Sequence, residues 1–172
     1  SLQDKVALYW EGKDGNSEQY TFHDLYILTN RFANVLQSLE IKKGDRVFTY
    51  TDRTPEIFIA ILGILKAGAV VGPLFSAFGP DAVKDRLQDS GARILITTPG
   101  LVATVHEIAS ELPALEKIII VNRRKTPYEL NENEASYEKL MESASEEFKI
   151  VKTRKEDKAI MHYTSGTTGK PK

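Results

Sequence analysis

The sequence predicts an α/β fold in which a parallel or mixed sheet is flanked by helices, with a small β-hairpin at the N-terminal end. Short apolar runs without alternating polarity lie near residues 46–50, 70–74, 94–97, 118–121 and 159–163. Strands that are buried on both faces have this pattern. Segments with helical spacing of apolar residues separate the first four runs, which is typical of βαβ crossovers and a parallel sheet. We expect all five strands to lie in one sheet.

The predicted hairpin and the first helix occupy the first 39 residues. Residues 6–10 and 19–22 have strand character, and a turn with two glycines separates them. Thr21 and Asp24 have the spacing of a capping box, which predicts that a helix begins directly after the hairpin. The core-facing stripe of this helix is predicted to consist of Leu25, Leu28, Phe32, Val35, Leu36 and Leu39.

Three further helices are predicted between the later strands. Thr54 followed by Pro55 is a typical helix start, and Gly68 a typical stop. For this helix the predicted core face consists of Ile57, Phe58, Ile61, Leu62 and Leu65. The next helix runs from Pro80 to Gly91 with Val83 and Leu87 inward, and the last is marked by Leu101, Val105, Ile108 and Leu112 before Pro113.

Residues 122–157 differ from the rest because they are rich in charge and carry only a short helical pattern around Tyr137 and Met141. We interpret the stretch as a surface excursion before the chain re-enters the sheet. Arg123 and Arg124 at its start have two possible roles, a solvated turn or a contact with a nucleotide phosphate, and we favour the turn. Asp89, on an earlier helix, is expected to be a solvent-facing acid.

The final stretch carries the strongest chemical signal in the sequence. It reads Tyr163-Thr164-Ser165-Gly166-Thr167-Thr168-Gly169-Lys170-Pro171-Lys172, directly after a predicted strand. Hydroxyl groups can donate hydrogen bonds to phosphate oxygens, and glycines let the backbone approach a ligand closely. Successive backbone N–H groups in such a turn can form an anion-binding concavity. The stretch therefore predicts a polyphosphate-binding loop, and the alternative is a polar scaffold turn.

This loop is not the P-loop of kinases and ATPases. That motif requires four residues between its glycines and a Ser or Thr after its lysine. Here Gly166 and Gly169 are too close together, and Pro171 follows Lys170. Proline has no backbone N–H to donate to a phosphate. The spacing thus excludes the P-loop class.

Composition excludes several other classes of protein. The 23 basic and 24 acidic residues nearly balance, so no broad positive field indicates a nucleic-acid or membrane partner. Cysteine is absent, and His23, His106 and His162 share no metal-ligand spacing, so we predict no metal site held by this chain. No apolar run approaches the length of a membrane span. We expect a cytoplasmic enzyme that acts on small molecules, and the oligomeric state cannot be predicted.

The residues of the loop resemble the phosphate-loop signature of the adenylate-forming enzymes, which include acyl-CoA synthetases, luciferases and peptide-synthetase adenylation domains. The resemblance extends over nearly the whole chain. It includes residues 44–47, the helix pattern of residues 56–68, and Phe75 and Phe78 with the spaced Arg86. These features are similar to AMP-forming acetyl-CoA synthetases, and most similar to the shorter bacterial form.

The resemblance implies ATP-dependent activation of acetate through acetyl-adenylate, followed by thioester formation with coenzyme A. ATP, Mg²⁺ and CoA are the expected substrates and cofactor. Matching the loop position by position implies that the ATP phosphates are held by Thr164, Ser165, Gly166, Thr167, Thr168 and Lys172. Lys172 is the expected catalytic residue, and a hydroxyl of Thr167 or Thr168 is expected near Mg²⁺. The arginine pair with which longer acetyl-CoA synthetases bind CoA is absent after residues 94–97, so no CoA contact is assigned there.

The same resemblance implies that residues 1–172 are a single incomplete domain, the N-terminal part of the adenylate-forming domain, without its C-terminal domain. The chain stops inside its predicted binding loop, so we expect it to be a fragment that is inactive alone. Three alternatives remain open: another short-chain acyl-CoA synthetase, an amino-acid adenylation domain, or a non-catalytic domain whose loop is a scaffold turn.

Overall fold

A computed structural model describes residues 1–164 of the 172-residue chain. The elements in chain order are β1 (Val6–Glu11), β2 (Ser17–Thr21), α1 (Phe22–Ser38), β3 (Arg46–Tyr50), α2 (Pro55–Lys66), β4 (Val70–Leu74), α3 (Pro80–Ser90), β5 (Ile94–Thr97), α4 (Val102–Ile108) with a 3-10 turn (Ala109–Glu111), β6 (Lys117–Ile120), β7 (Glu134–Ser136) and α5 (Tyr137–Ser143). The predicted order of strands and helices is confirmed from β1 to β6.

The main sheet has five parallel strands in the order β4-β3-β5-β6-β7. Helices α1, α2 and α5 pack on one face of the sheet, where Phe32 and Ile59 belong to the same buried core cluster as Val47. Helices α3 and α4 cover the other face, where Val83 and Val105 pack with the strand residues that point the opposite way. Both faces are therefore buried, which explains the non-alternating apolar runs of the sequence.

The N-terminal hairpin is a separate antiparallel sheet of β1 and β2, as predicted. The capping box at its junction with α1 is also present. The Thr21 hydroxyl accepts a hydrogen bond from the Asp24 N–H at 3.1 Å, and the Asp24 carboxylate accepts one from the Thr21 N–H at 2.8 Å. This local exchange satisfies two backbone donors that the helix start would otherwise leave unpaired.

The predicted core face of α2 is wrong in part, because Ile61 and Leu65 pack against the core but two other predicted residues do not. Phe58 and Leu62 are exposed, and the buried positions of the helix include Ile59, Gly63 and Ile64. Apolar residues surround nearly the whole helix, so their spacing does not select a face. The choice depends on α1, because a Cβ added at Gly63 would lie only 2.8 Å from the Phe32 ring. The two helices approach closely at this glycine.

The interpretation of residues 122–157 as a surface excursion does not match the structure in its middle part. Strand β7 pairs in parallel with β6 and forms an edge of the main sheet. Helix α5 buries Tyr137 and Met141 in the core against α1. The strand has only three residues and its buried Glu134 is charged, so hydrophobic periodicity gave no signal for it.

Residues 159–161 lie along the opposite edge of the sheet, beside β4. The Val71 N–H donates to the Ala159 carbonyl at 3.0 Å, and the Met161 N–H donates to the Val71 carbonyl at 2.9 Å. The pairing is parallel, so the segment joins the sheet as expected. It does so through a single bridge at Ile160, and the predicted full strand over 159–163 is not formed.

Candidate functional site

The carboxyl ends of the parallel strands lie along one edge of the sheet, which is distinct from the outer strands β4 and β7. Ligands of open α/β sheets bind at this carboxyl-end edge. Residues 159–161 run parallel to β4, so the chain beyond them continues toward the same edge. Tyr163 is partly buried there against the core under α3 and α4, and Thr164 is exposed. The described structure thus brings the start of the predicted phosphate loop to the expected edge.

Of the predicted phosphate-binding residues, only Thr164 belongs to the part of the chain that the structure describes. Ser165, Gly166, Thr167, Thr168 and the predicted catalytic residue Lys172 lie outside it. Their roles stay predictions.

Tyr163 is held by helix α3 through its hydroxyl group. The hydroxyl donates to Asp89 Oδ2 at 2.6 Å and lies 3.3 Å from the Arg86 carbonyl oxygen. Burial and the bond to Asp89 raise the pKa of Tyr163 to about 12. The phenol therefore remains a neutral donor at physiological pH. Asp89 is an exposed helix acid, as expected, and it also accepts this hydrogen bond.

A stack of aromatic rings and one guanidinium group continues from Tyr163 to the loop after β4. Arg86 lies 5.7 Å from the Tyr163 ring centroid and 4.3 Å from that of Phe78. The Phe78 ring in turn meets Phe75 edge to face at 5.9 Å between centroids. The spaced Phe75, Phe78 and Arg86 that carry part of the family resemblance are therefore in contact with one another.

The loop after β4 is also tied to the neighbouring strand. The hydroxyl of Tyr50, the last residue of β3, donates to the Phe78 carbonyl oxygen at 2.6 Å. The Phe78 N–H donates to the Phe75 carbonyl at 3.0 Å, which closes the turn. Contacts from β3, β4 and α3 therefore hold the loop after β4 in place.

On the other face of the sheet, Arg123 joins three parts of the chain. Its guanidinium donates to Glu56 Oε1 at 2.8 Å, forms an ion pair with Glu18 of β2, and lies 4.4 Å from the Trp10 ring. Trp10 also donates from Nε1 to the Arg53 carbonyl oxygen at 2.9 Å. The favoured interpretation of Arg123 as part of a solvated turn is wrong, whereas Arg124 is exposed.

Neither a cluster of metal-ligand residues nor a helix able to span a membrane is found among the described residues. Residues 1–164 contain no group of three or more His, Cys, Asp or Glu side chains arranged to hold a metal. Within the same residues, no helix combines the length and apolar character that crossing a membrane requires.

Sequence reasoning missed the contact between Tyr163, Asp89 and Arg86. The residues are 74 and 77 positions apart, and no spacing rule connects them. The burial of Arg86 could not be predicted from the sequence either. Its guanidinium donates to the carbonyl of Ala82, four residues earlier, at 2.7 Å, and this spacing is ordinary within a helix.

The fold defines an α/β domain with a candidate ligand site beside β4, and comparison with known proteins gives its family. The whole chain, residues 1–172, matches the family described as AMP-binding enzyme. The chain belongs to this family.

Named relatives and solved structures agree with the match. The chain is 40% identical to an acetyl-coenzyme A synthetase of Bacillus subtilis over 172 residues, and 35% identical to one of Campylobacter jejuni over 181 aligned residues. Each alignment covers 99% of this chain but only 29% and 28% of the relative. The chain therefore spans less than a third of the length of these relatives.

Two solved structures share the fold. The crystal structure of a Brucella canis acyl-CoA synthetase superposes with a TM-score of 0.88 at 30% identity, covering 98% of this chain and 30% of the other. That of the anthranilate CoA ligase AuaEII in complex with anthranoyl-AMP superposes with a TM-score of 0.87 at 25% identity, covering 99% and 31%.

Proposed function

We propose that the protein containing this chain is an AMP-forming acyl-CoA ligase that activates acetate, and that residues 164–172 supply its phosphate-binding loop. The observation that supports the proposal is the parallel pairing of residues 159–161 with β4, since a chain running in this direction reaches Thr164 at the edge where ligands of open α/β sheets bind. Acetate is favoured as substrate because relatives at 35–40% identity are named acetyl-coenzyme A synthetase.

The proposed reaction has two steps. A carboxylate oxygen of acetate attacks the α-phosphorus of ATP, the bond to the β-phosphate oxygen breaks, and pyrophosphate leaves. The CoA thiol, after losing its proton, then attacks the carbonyl carbon of acetyl-adenylate, and AMP leaves with the bonding electron pair. Catalysis of this kind depends on positioning and on stabilising charge that grows on the phosphates.

Each part of the loop has a proposed task. The hydroxyls and backbone N–H groups from Thr164 to Thr168 hold the β- and γ-phosphates, and Lys172 neutralises charge on the departing pyrophosphate. Mg²⁺ would accompany ATP, with a hydroxyl of Thr167 or Thr168 nearby. No step of the proposal depends on a metal ion held by residues 1–164, since these contain no matching ligand group.

Acetate-dependent exchange of labelled pyrophosphate into ATP tests the first step in the full-length protein. We expect exchange with acetate, less with propionate or butyrate, and none without an acid. Adding CoA should then convert acetate to acetyl-CoA with one AMP formed per thioester.

The same assay separates the alternatives. Exchange that prefers a longer acid would indicate another short-chain synthetase, and exchange driven by an amino acid would indicate an adenylation domain. A folded full-length protein that exchanges pyrophosphate with none of these acids would contradict the proposal and favour a scaffold turn.

A further inference from the structure

Arg86 of helix α3 is unusual because it is a buried cation beside the start of the predicted loop. Only 6% of the residue is exposed. Among residues 1–164 it forms no ion pair, its Nε has no hydrogen-bond partner, and its Nη1 donates to the Ala82 carbonyl at 2.7 Å. Burying an unpaired charge is costly, so the surroundings of Arg86 must compensate for lost hydration.

Two aromatic rings provide that compensation. The guanidinium carbon lies 4.3 Å from the Phe78 ring centroid and 5.7 Å from the Tyr163 ring centroid. Both distances are within the range of cation–π attraction, which strengthens when the cation is desolvated. A planar guanidinium can stack against a ring, whereas the compact ammonium group of lysine cannot.

Helix α3 holds Tyr163 at two points. Arg86 contacts the ring, and Asp89 accepts the hydroxyl hydrogen bond at 2.6 Å. By contrast, the backbone hydrogen bonds that join this segment to β4 end at Met161. These side-chain contacts therefore extend the anchoring of the segment to the residue directly before Thr164.

We propose that Arg86 is a positioning residue, which holds Tyr163 against Phe78 and thereby determines where the chain leaves the sheet at Thr164. Arg86 acts through Tyr163 and is assigned no contact with substrate. The catalytic consequence of this inference rests on the proposed function. The position of Thr164 affects the alignment of the ATP phosphates only if the loop binds them.

The kinetic test compares variants of the full-length protein. Misalignment by about 1 Å can cost about 100-fold in rate. We expect Arg86→Met to lower kcat of acetate-dependent pyrophosphate exchange by roughly 10- to 100-fold with an acetate KM within about twofold of wild type. Arg86→Lys keeps the charge but not the planar group. On a logarithmic scale, its kcat should therefore recover less than half of the loss that Arg86→Met causes.

Arg46 provides the matched control. It also anchors α3, donating from Nε to the Ser90 carbonyl at 2.7 Å and from Nη2 to the Gly91 carbonyl at 2.9 Å. However, it lies at the amino end of β3, away from the carboxyl ends of the strands. Arg46→Met should reduce thermal stability while leaving kcat within about threefold of wild type. Equal losses of kcat in both variants, in proportion to their losses of stability, would overturn the proposal.

Hydrogen exchange in the absence of nucleotide gives a readout that does not depend on activity. Arg86→Met should increase exchange of the Met161 amide, whose N–H donates to the Val71 carbonyl, by tenfold or more, and Arg46→Met should not. Unchanged exchange of the Met161 amide in Arg86→Met overturns the proposal whether or not the protein adenylates acetate. Failure of the proposed function alone would appear as an inactive wild type with the exchange difference intact.

If Arg86→Met does not fold, substitutions of Tyr163 keep the proposal testable. Tyr163→Phe keeps the ring and loses the hydroxyl, so it should increase exchange of the Met161 amide less than Tyr163→Leu, which removes both contacts. Equal effects of the two variants would show that the ring contact with Arg86 has no positioning role.

Discussion

Glu134 illustrates, at the scale of a single residue, how a buried charge is stabilised in this fold. Its side chain is fully buried, and it accepts hydrogen bonds from the Asn131 N–H at 2.9 Å and the Tyr128 hydroxyl at 2.8 Å. His106 Nε2 lies 2.6 Å from its other oxygen. Burial alone would raise the pKa of Glu134, but these three bonds outweigh burial and lower the pKa below its ordinary value of 4.5.

A lowered pKa makes stability depend on pH in a definite direction. The carboxylate contributes fully above its ordinary pKa of 4.5 and loses its contribution as pH falls through the lower pKa of the folded state. Glu134→Gln should lower the free energy of unfolding by about 1.5–3 kcal/mol at pH 7, as expected for hydrogen bonds to a charged group. The difference from wild type should shrink as the pH is lowered from 4.5 toward 3.

Thermal unfolding of wild type and variant between pH 3 and pH 7 measures this dependence. Glu129→Gln is the control, because Glu129 lies in the same connection and is exposed. Parallel curves for wild type and Glu134→Gln over the whole range would show that the Glu134 charge does not stabilise the fold.

Lys172 is the residue for which the sequence predicts the largest catalytic effect. It is the only charged residue at a fixed position of the loop motif, so it should act on charge that develops as pyrophosphate leaves. In the full-length protein, Lys172→Ala should lower acetate-dependent pyrophosphate exchange by about 10²–10³, or roughly 2–4 kcal/mol. The KM for acetate should change much less.

Lys170→Ala is the matched comparison, since Lys170 occupies a variable position of the motif. It should retain exchange within a few-fold of wild type. Wild-type exchange in Lys172→Ala would remove Lys172 from the mechanism.

At the scale of elements, the N-terminal hairpin depends on contacts outside its own two strands. A two-stranded hairpin is marginally stable by itself. Arg123, which follows β6, pairs with Glu18 of β2 and Glu56 of α2 and lies over the Trp10 ring of β1. One guanidinium therefore connects the hairpin to α2 and to the main sheet.

Arg123→Gln should loosen the hairpin, because it leaves Glu18 and the mostly buried Glu56 without their cation. We expect native-state cleavage by chymotrypsin within residues 6–21 to accelerate by about tenfold, which corresponds to roughly 1.4 kcal/mol in opening free energy. Arg124→Gln is the control, because Arg124 is the next residue in the chain and its side chain is exposed. Equal cleavage rates in the two variants would mean that Arg123 does not hold the hairpin.

At the scale of the whole molecule, the chain spans 28–29% of the length of two acetyl-coenzyme A synthetases to which it is similar. The described residues contain the sheet edge and the start of the loop. We infer that the adenine, acetate and CoA sites of the proposed enzyme require residues beyond these 172.

The isolated 172-residue chain should therefore form neither acetyl-adenylate nor acetyl-CoA. Alignment of reacting groups can be worth about 7–11 kcal/mol of the barrier, and one wall of a site cannot provide it. We expect at most weak ATP binding, at about millimolar strength or roughly −4 kcal/mol.

The measurement mixes the purified chain with ATP, Mg²⁺, acetate and CoA and follows AMP by chromatography, beside a calorimetric titration with ATP. Turnover above the protein-free control that Lys172→Ala abolishes would contradict this expectation. Such turnover would mean that the regions outside the chain contribute less to catalysis than we infer.

The amino-acid sequence by itself determined which segments become strands β1 to β6 and the helices between them, and it predicts the phosphate loop. Strands buried on both faces need continuous apolar runs, and the capping box of Thr21 and Asp24 is complete within four residues. These signals are local, so the β3 to β6 pattern and the start of α1 could be predicted without knowing what each element contacts.

Only the tertiary structure decided which face of α2 is buried, how β7 extends the sheet, and what Arg86, Arg123 and Glu134 bind. The α2 face depends on the close approach of Gly63 to Phe32. The bond from Tyr163 to Asp89 spans 74 positions, and the pair of Arg123 with Glu18 spans 105. Contacts between distant residues leave no periodic pattern in the sequence, because their geometry exists only after the sheet has brought the two segments together.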